Sequence, residues 1–269
     1  MLAPAPRGGD NRPAMSGIPL HGPGPDGPAS AAGDEAACPR CGGTGFVIVV
    51  REGLEAARPC DCRRSRQDEL RRRLASIPRR YRHCTLEGFF SRNPSHERAL
   101  ALARRVVQEF PGGRYGLLFT GPCGVGKTHL AAAVLRELVE TRGARGLFTE
   151  FGRLLRRLQD TYDRGSETPS REVIDPVLLA DVLVLDDLGA TRTTPWVIET
   201  LGLILGERYD QDRLTLITTN LPLEAPPGEE TLADRIGDRL ASRLVEMCWV
   251  VPMEGEDFRR RVKSAAYRT

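Results

Sequence analysis

Residues 115–128 read YGLLFTGPCGVGKT, and this run decides the fold. Its first half, Gly116 to Thr120, is short and nearly continuous in apolar residues, as a strand buried on both faces is. Its second half satisfies G-x-x-x-x-G-K-[ST] at Gly121, Gly126, Lys127 and Thr128, and opens a helix predicted over Lys127 to Glu140. Strand, glycine-rich turn and helix in that order make a phosphate cradle. The glycines let consecutive backbone N–H groups point inward, and the helix N-terminus adds partial positive charge. The candidate nucleotide-binding residues are therefore Gly121, Pro122, Cys123, Gly124, Val125, Gly126, Lys127, Thr128 and His129, with ATP and Mg²⁺ as the expected ligands. Lys127 suits the β and γ oxygens, and the Thr128 hydroxyl suits Mg²⁺. Cys123 reads as a small residue at a variable loop position rather than as a redox switch.

Further strands are predicted over Leu147 to Phe151, Val182 to Leu185, Leu214 to Thr218 and Cys248 to Val251, and further helices over Trp196 to Tyr209 and Leu232 to Glu246. Short apolar strands alternating with amphipathic helices predict an α/β fold, a parallel five-stranded sheet flanked by helices. The second of those strands ends in Asp186-Asp187. Two aspartates there serve equally as plain turn residues, but the phosphate loop upstream makes Asp186 the candidate Mg²⁺ holder and Asp187 the group that orients or deprotonates a water. Asn220 follows the next strand, at the edge of the sheet where ligands of such sheets bind. Arg235, Arg239 and Arg243 recur every fourth residue, which on one continuous helix would line a single face beside Ile236, Leu240 and Leu244.

The 269 residues can hold one sizeable core and a small appendage. Apolar residues make up 40% and charged residues 28%, the balance of a soluble globular protein, and no apolar run approaches the roughly 20 residues that cross a bilayer. No basic start with a compact apolar stretch precedes the body of the chain, so the expected compartment is the cytoplasm, with reduced thiols and no membrane partner. The net charge of +3 is carried almost wholly by arginine. Lys127 and Lys263 are the only lysines, which sets the lysine of the phosphate loop apart.

Residues 1–36, rich in Pro, Gly, Ala and Ser, are expected to be a disordered tail. Cys38, Cys41, Cys60 and Cys62 follow as CxxC and CxC pairs 18 residues apart, which suits four thiolates around tetrahedral Zn²⁺ in a module over residues 37–62. A thioredoxin-like redox pair would need a surrounding βαβ pattern that is missing here. So small a module would need its metal to fold. Residues 63–82 hold nine arginines around a predicted linker helix, Gln67 to Ile77; the stretch fits a nucleic-acid backbone or a solvated linker. The nucleotide-binding domain is then expected over residues 83–269. Cys84 and Cys248 read as ordinary buried thiols.

The runs LVLDDLG at Leu183 to Gly189, ITTNL at Ile217 to Leu221, RLASRL at Arg239 to Leu244 and GEDFR at Gly255 to Arg259, together with Phe119 to Lys127, resemble the DnaC/DnaI/IstB group of AAA+ proteins over about residues 82–262. The resemblance implies ATP hydrolysis at subunit interfaces, with Arg243, and Arg239 beside it, as the arginine finger offered to a neighbouring subunit. It also implies Arg259 as a phosphate-sensing arginine in its own subunit. The expected partners are a replicative ring helicase, single-stranded DNA and further copies of the chain, and some such loaders carry an N-terminal zinc module that contacts the helicase. Two alternatives within the class stay open: an IstB-like transposition helper, and a nucleotide-gated binding module that hydrolyses little because Asp187 is one methylene shorter than the usual Glu. A small-molecule kinase would need a lid and an acceptor pocket in place of the arginine helix.

Overall fold

In a computed structural model, the residues described are 38–42, 44–51, 54–62, 74–162 and 171–260. The expected tail, most of the linker helix and six of the nine arginines of residues 63–82 lie outside them. The chain divides into two compact units, residues 1–44 and 45–269. Of the first, the described part is a tight turn: the amides of Cys41 and Gly42 donate to the Cys38 carbonyl at 3.3 and 2.8 Å.

The second unit opens with a hairpin, β1 (Phe46–Arg51) against β2 (Leu54–Pro59), antiparallel. It continues through α1 (Pro94–Glu109), β3 (Gly116–Thr120), α2 (Lys127–Arg142), β4 (Gly146–Glu150), α3 (Phe151–Tyr162), α4 (Arg171–Leu179), β5 (Val182–Leu188), α5 (Pro195–Asp210) and β6 (Leu214–Thr219). It closes with α6 (Leu232–Ile236), α7 (Asp238–Met247) and β7 (Cys248–Pro252). The five predicted strands form one sheet, ordered β4-β5-β6-β3-β7, with every pairing parallel.

Alternation along the buried strands divides the core in two. Leu117, Phe119, Val182, Val184 and Leu216 point to the face covered by α1 and α2. Leu118, Leu183, Leu185 and Ile217 point to the face covered by α3, α4, α5, α6 and α7. Period-two alternation feeds both faces at once, which is why these strands read as unbroken apolar runs. Burying one such Leu or Phe contributes about 2 kcal/mol. The core also begins earlier than expected. Leu74–Ser76 and Arg79–Tyr81 are short 3₁₀ turns rather than a continuation of the linker helix, and Ile77 is already 1% exposed within the first cluster.

A second difference concerns the arginine helix. The single helix expected over Leu232 to Glu246 is broken at Gly237, whose φ of +86° and ψ of 146° belong to a region essentially confined to glycine. Thr231 and Asp234 close a capping box on α6, and α7 restarts at Asp238. Arg235 therefore does not share a helical face with Arg239 and Arg243: it bonds the Gly189 carbonyl and pairs with Glu230. Ile236, Leu240 and Leu244 are buried as the apolar stripe required.

Candidate functional site

β3 sits where the chain's course across the sheet reverses, with β6 on one side and β7 on the other. The crevice beyond its C-terminal end is where an open α/β sheet receives a ligand. The phosphate loop leaves β3 there and turns into α2 at Lys127. Gly124 shows why the loop needs glycine: at φ +80°, a Cβ would fall 1.8 Å from Oδ1 of Asp257. The loop is clasped from that side, since the Phe258 amide donates to the Gly124 carbonyl at 3.2 Å.

Lys127 is 6% exposed, and its Nζ donates to the carbonyls of Gly121 and Pro122, both at 2.7 Å, and to Oδ1 of Asn220 at 2.8 Å. Asn220 in turn donates from Nδ2 to Oδ1 of Asp187 at 3.0 Å. Burial pushes the Lys127 ammonium down to about 8, against the opposing pull of Cys123, Asp187 and Asp186 and with the repulsion of Arg259. A cation held by neutral oxygens is ready to exchange them for phosphate oxygens.

Asp186 and Asp187 face different tasks. Asp186 is buried and accepts from Thr128 Oγ1 at 2.8 Å and from Thr218 Oγ1 at 2.7 Å, both at its Oδ1. Burial raises its carboxyl above the ordinary range, with the two hydroxyls working against the rise. A divalent cation would reverse that balance by favouring the carboxylate. Thr128 and Asp186 thus form a paired hydroxyl and carboxylate that fits Mg²⁺. The pairing of β5 with β6 shifts register between Leu185 and Leu188, and Asp187 takes a φ of +58° within that irregularity. The bulge re-aims the Asp187 side chain toward Asn220. Thr218 anchors both aspartates, because its hydroxyl also accepts from the Asp187 amide at 2.9 Å. Sequence reading passed over Thr218 as a strand residue; its place one residue before Thr219-Asn220 was the available signal.

A cavity of about 980 Å³ joins these groups, lined by Lys127, Thr128, Asp186, Asp187, Asn220 and Arg259 among others. That is the size of a nucleotide-binding cleft. Its wall continues through Phe89, Phe90, Phe258 and His96, of which only Phe258 falls within a run that the sequence marked. His129 also lines it, its Nε2 3.1 Å from the Thr85 carbonyl. Arg239 and Arg243 do not line this cavity. Arg239 is exposed, and the Arg243 guanidinium lies 5.5 Å over the ring of Tyr209. Cys123 is exposed on the loop, and Cys84 and Cys248 are buried, their thiols pushed up to about 11 and about 12 by burial.

Cys38, Cys41, Cys60 and Cys62 each offer one thiol that could hold a metal ion. Four thiolates suit tetrahedral Zn²⁺, so the donor set fits that ion in kind and number.

Comparison with known proteins agrees with this geometry. The family of IstB-like ATP binding proteins matches residues 54–266. The replicative helicase loader DnaC of Escherichia coli strain K12 is 29% identical over 187 residues, 70% of this chain and 74% of that protein. A crystal structure of the DnaC helicase loader is similar at TM-score 0.59 and 36% identity, covering 66% of this chain and all of that one. A crystal structure of DnaI gives TM-score 0.56 at 26% identity, with 69% and 98% covered. The chain belongs to the IstB-like ATP-binding family and has the AAA+ P-loop ATPase fold.

Proposed function

We propose that this family member is an ATP-hydrolysing replication factor that loads a ring helicase onto single-stranded DNA, working as an assembly with ATP at its subunit interfaces. The observation that carries the reading is the chain of contacts Lys127–Asn220–Asp187 beside Thr128–Asp186, all in one cavity. This is a site built to hold a triphosphate and to position a water, rather than to hold a nucleotide passively.

In this reading Lys127 and the loop amides hold the β and γ phosphates, and Thr128 and Asp186 hold Mg²⁺, which neutralises charge on the transferred group. Asp187 accepts the proton of the attacking water or orients it, and Asn220 keeps that carboxylate directed. Arg259 contacts phosphate from within the subunit. Arg243, with Arg239 beside it, reaches the nucleotide of a neighbouring copy, which suits side chains that do not line their own chain's cavity. Zn²⁺ on the four cysteines shapes an N-terminal module for the helicase. The likeness to proteins named as helicase loaders supports that choice of partner over a transposase.

The test is light-scattering chromatography of the protein with its host's replicative helicase, Mg-ATP and a single-stranded oligonucleotide, run for wild type and Cys38→Ser. A stable complex that requires the intact cysteines is expected. No complex under any nucleotide condition would sink the loader reading and put a transposition helper in its place.

A further inference from the structure

We propose that Tyr209 and Gly206 of α5 are positioning residues for Arg243, a shelf that holds its guanidinium in place while leaving its N–H groups for a neighbouring copy's phosphate; the inference rests on the reading of Arg243 as the arginine offered to that copy. Arg243 is half-buried, and its guanidinium lies 5.5 Å over the Tyr209 ring. Among the described residues it has no hydrogen-bond acceptor and no carboxylate partner. Other arginines of this unit are committed: Arg208 to carbonyls, Arg145 to Asp181, Arg136 to Glu140 and Arg235 to Glu230. A cation held by a ring face alone keeps its planar fork of donors, the geometry that matches phosphate oxygens.

The hydroxyl of the same tyrosine protects that state. Glu246 stands one turn after Arg243 on α7, the spacing at which an arginine and a glutamate of one helix pair. Such a pair would commit the guanidinium to its own chain. Instead, the Tyr209 hydroxyl donates to Oε1 of Glu246 at 2.5 Å. One side chain therefore does two things: its face carries the cation, and its hydroxyl holds the carboxylate that would neutralise it.

Gly206 makes room for the arrangement. A Cβ there would stand 3.3 Å from Nη1 of Arg243. Apart from its chain neighbours and the surrounding backbone of α5, no other heavy atom of the described residues lies within 4 Å of that point. The guanidinium thus rests across α5 where the helix has no side chain, one turn before the ring on which it stacks. Glycine inside a helix is unfavourable beside Ala or Leu, and α5 runs from Pro195 to Asp210 with Gly206 in its last turns. The arginine is what its missing side chain accommodates.

The experiment measures Mg-ATP affinity, turnover and urea melts for wild type, Gly206→Leu, Tyr209→Phe, Tyr209→Phe/Glu246→Gln and Arg243→Ala. Gly206→Leu puts a side chain where the guanidinium lies and improves the helix, so it should melt at or above the wild-type urea concentration. Tyr209→Phe keeps the ring but releases Glu246 to pair with Arg243. Both should bind Mg-ATP as wild type does and turn it over about 10- to 100-fold more slowly. Both should recover on mixing with Lys127→Ala, whose intact shelf presents Arg243 to their intact cradles. Removing the released carboxylate, in Tyr209→Phe/Glu246→Gln, should return turnover to within about threefold of wild type. A merely structural role would move the melt and the affinity and would give no such rescue. With Arg243→Ala inactive, wild-type turnover in Gly206→Leu or Tyr209→Phe, or a loss that neither Lys127→Ala nor Glu246→Gln relieves, would overturn the shelf alone. Wild-type turnover in Arg243→Ala, or none in the wild type itself, would overturn the reading of Arg243 and the shelf with it.

Discussion

The ammonium of Lys127 donates to Oδ1 of Asn220 at 2.8 Å, joining the phosphate loop to the end of β6 across 93 positions of sequence. Asn220 passes the connection on to Asp187, its amide satisfied at both ends. Replacing it with Ala leaves Lys127 on its two loop carbonyls and leaves the Asp187 carboxylate without its amide donor. Asn220→Ala should therefore bind Mg-ATP within about threefold of wild type but turn it over about 10- to 100-fold more slowly. Steady-state phosphate release beside a nucleotide titration checks this; affinity and rate falling together would mean that Asn220 supports the loop rather than the water.

The protonation of Lys127 gives a pH dependence with a definite sign. Burial holds the ammonium at about 8 in the unliganded chain, and phosphate binding requires the charged form. Mg-ATP affinity should be flat below pH 7 and fall about tenfold between pH 7 and pH 9. Stability of the unliganded chain runs the other way. Above about pH 8 the folded state has released this proton while the unfolded chain, titrating at 10.5, still holds it, so this residue's contribution rises with pH up to that value. Lys127→Met should abolish both trends in titrations and urea melts run from pH 6 to 10.

Much of this site could be read directly because its parts are contiguous in sequence. The phosphate loop, the aspartate pair and Asn220 each end a strand whose unbroken apolar run identifies it, and parallel strands place their C-terminal ends along one edge. The break at Gly237 was not legible: apolar residues keep helical spacing through it, and glycine within such a run reads as tolerated. What decides is a ψ of 146° fixed by tertiary packing and by the Thr231–Asp234 capping box. His96 escaped for the opposite reason. Its spacing marks it as one more residue of the buried face of α1, and only the cavity distinguishes it from Ala99 and Ala103.

Arg208 is fully buried and has no carboxylate partner among the described residues. Nε donates to Thr215 Oγ1 at 2.9 Å, Nη1 to the carbonyls of Val177 and Ala180 at 3.0 and 2.8 Å, and Nη2 to the Leu214 carbonyl at 2.6 Å. One guanidinium thus satisfies the free carbonyls at the end of α4 and fixes them to the start of β6. Arg208→Met fills similar volume but strands those acceptors, and should destabilise the fold by about 2–4 kcal/mol in urea melts. Nucleotide affinity, measured well below the transition, should remain at the wild-type value. A melt unchanged from wild type would mean that water can replace the guanidinium here.

The proposed arginine finger separates two defects that a single mutant confuses. Arg243 does not line its own chain's cavity, while Lys127 holds the phosphate within it. Arg243→Ala should bind ATP normally and lose at least about 100-fold in turnover, a loss ordinary for removing such an arginine. Lys127→Ala should lose turnover because nothing is held. Each mutant keeps what the other lacks, so where a Lys127→Ala subunit presents Arg243 to the intact cradle of an Arg243→Ala subunit, that one interface is complete. Mixing the two inactive proteins should restore activity to a maximum near equal proportions, with turnover that depends on total concentration. Retained activity in Arg243→Ala alone would remove the residue from the mechanism. Full co-assembly without recovery would move the finger to Arg239, which the same mixing experiment tests in turn.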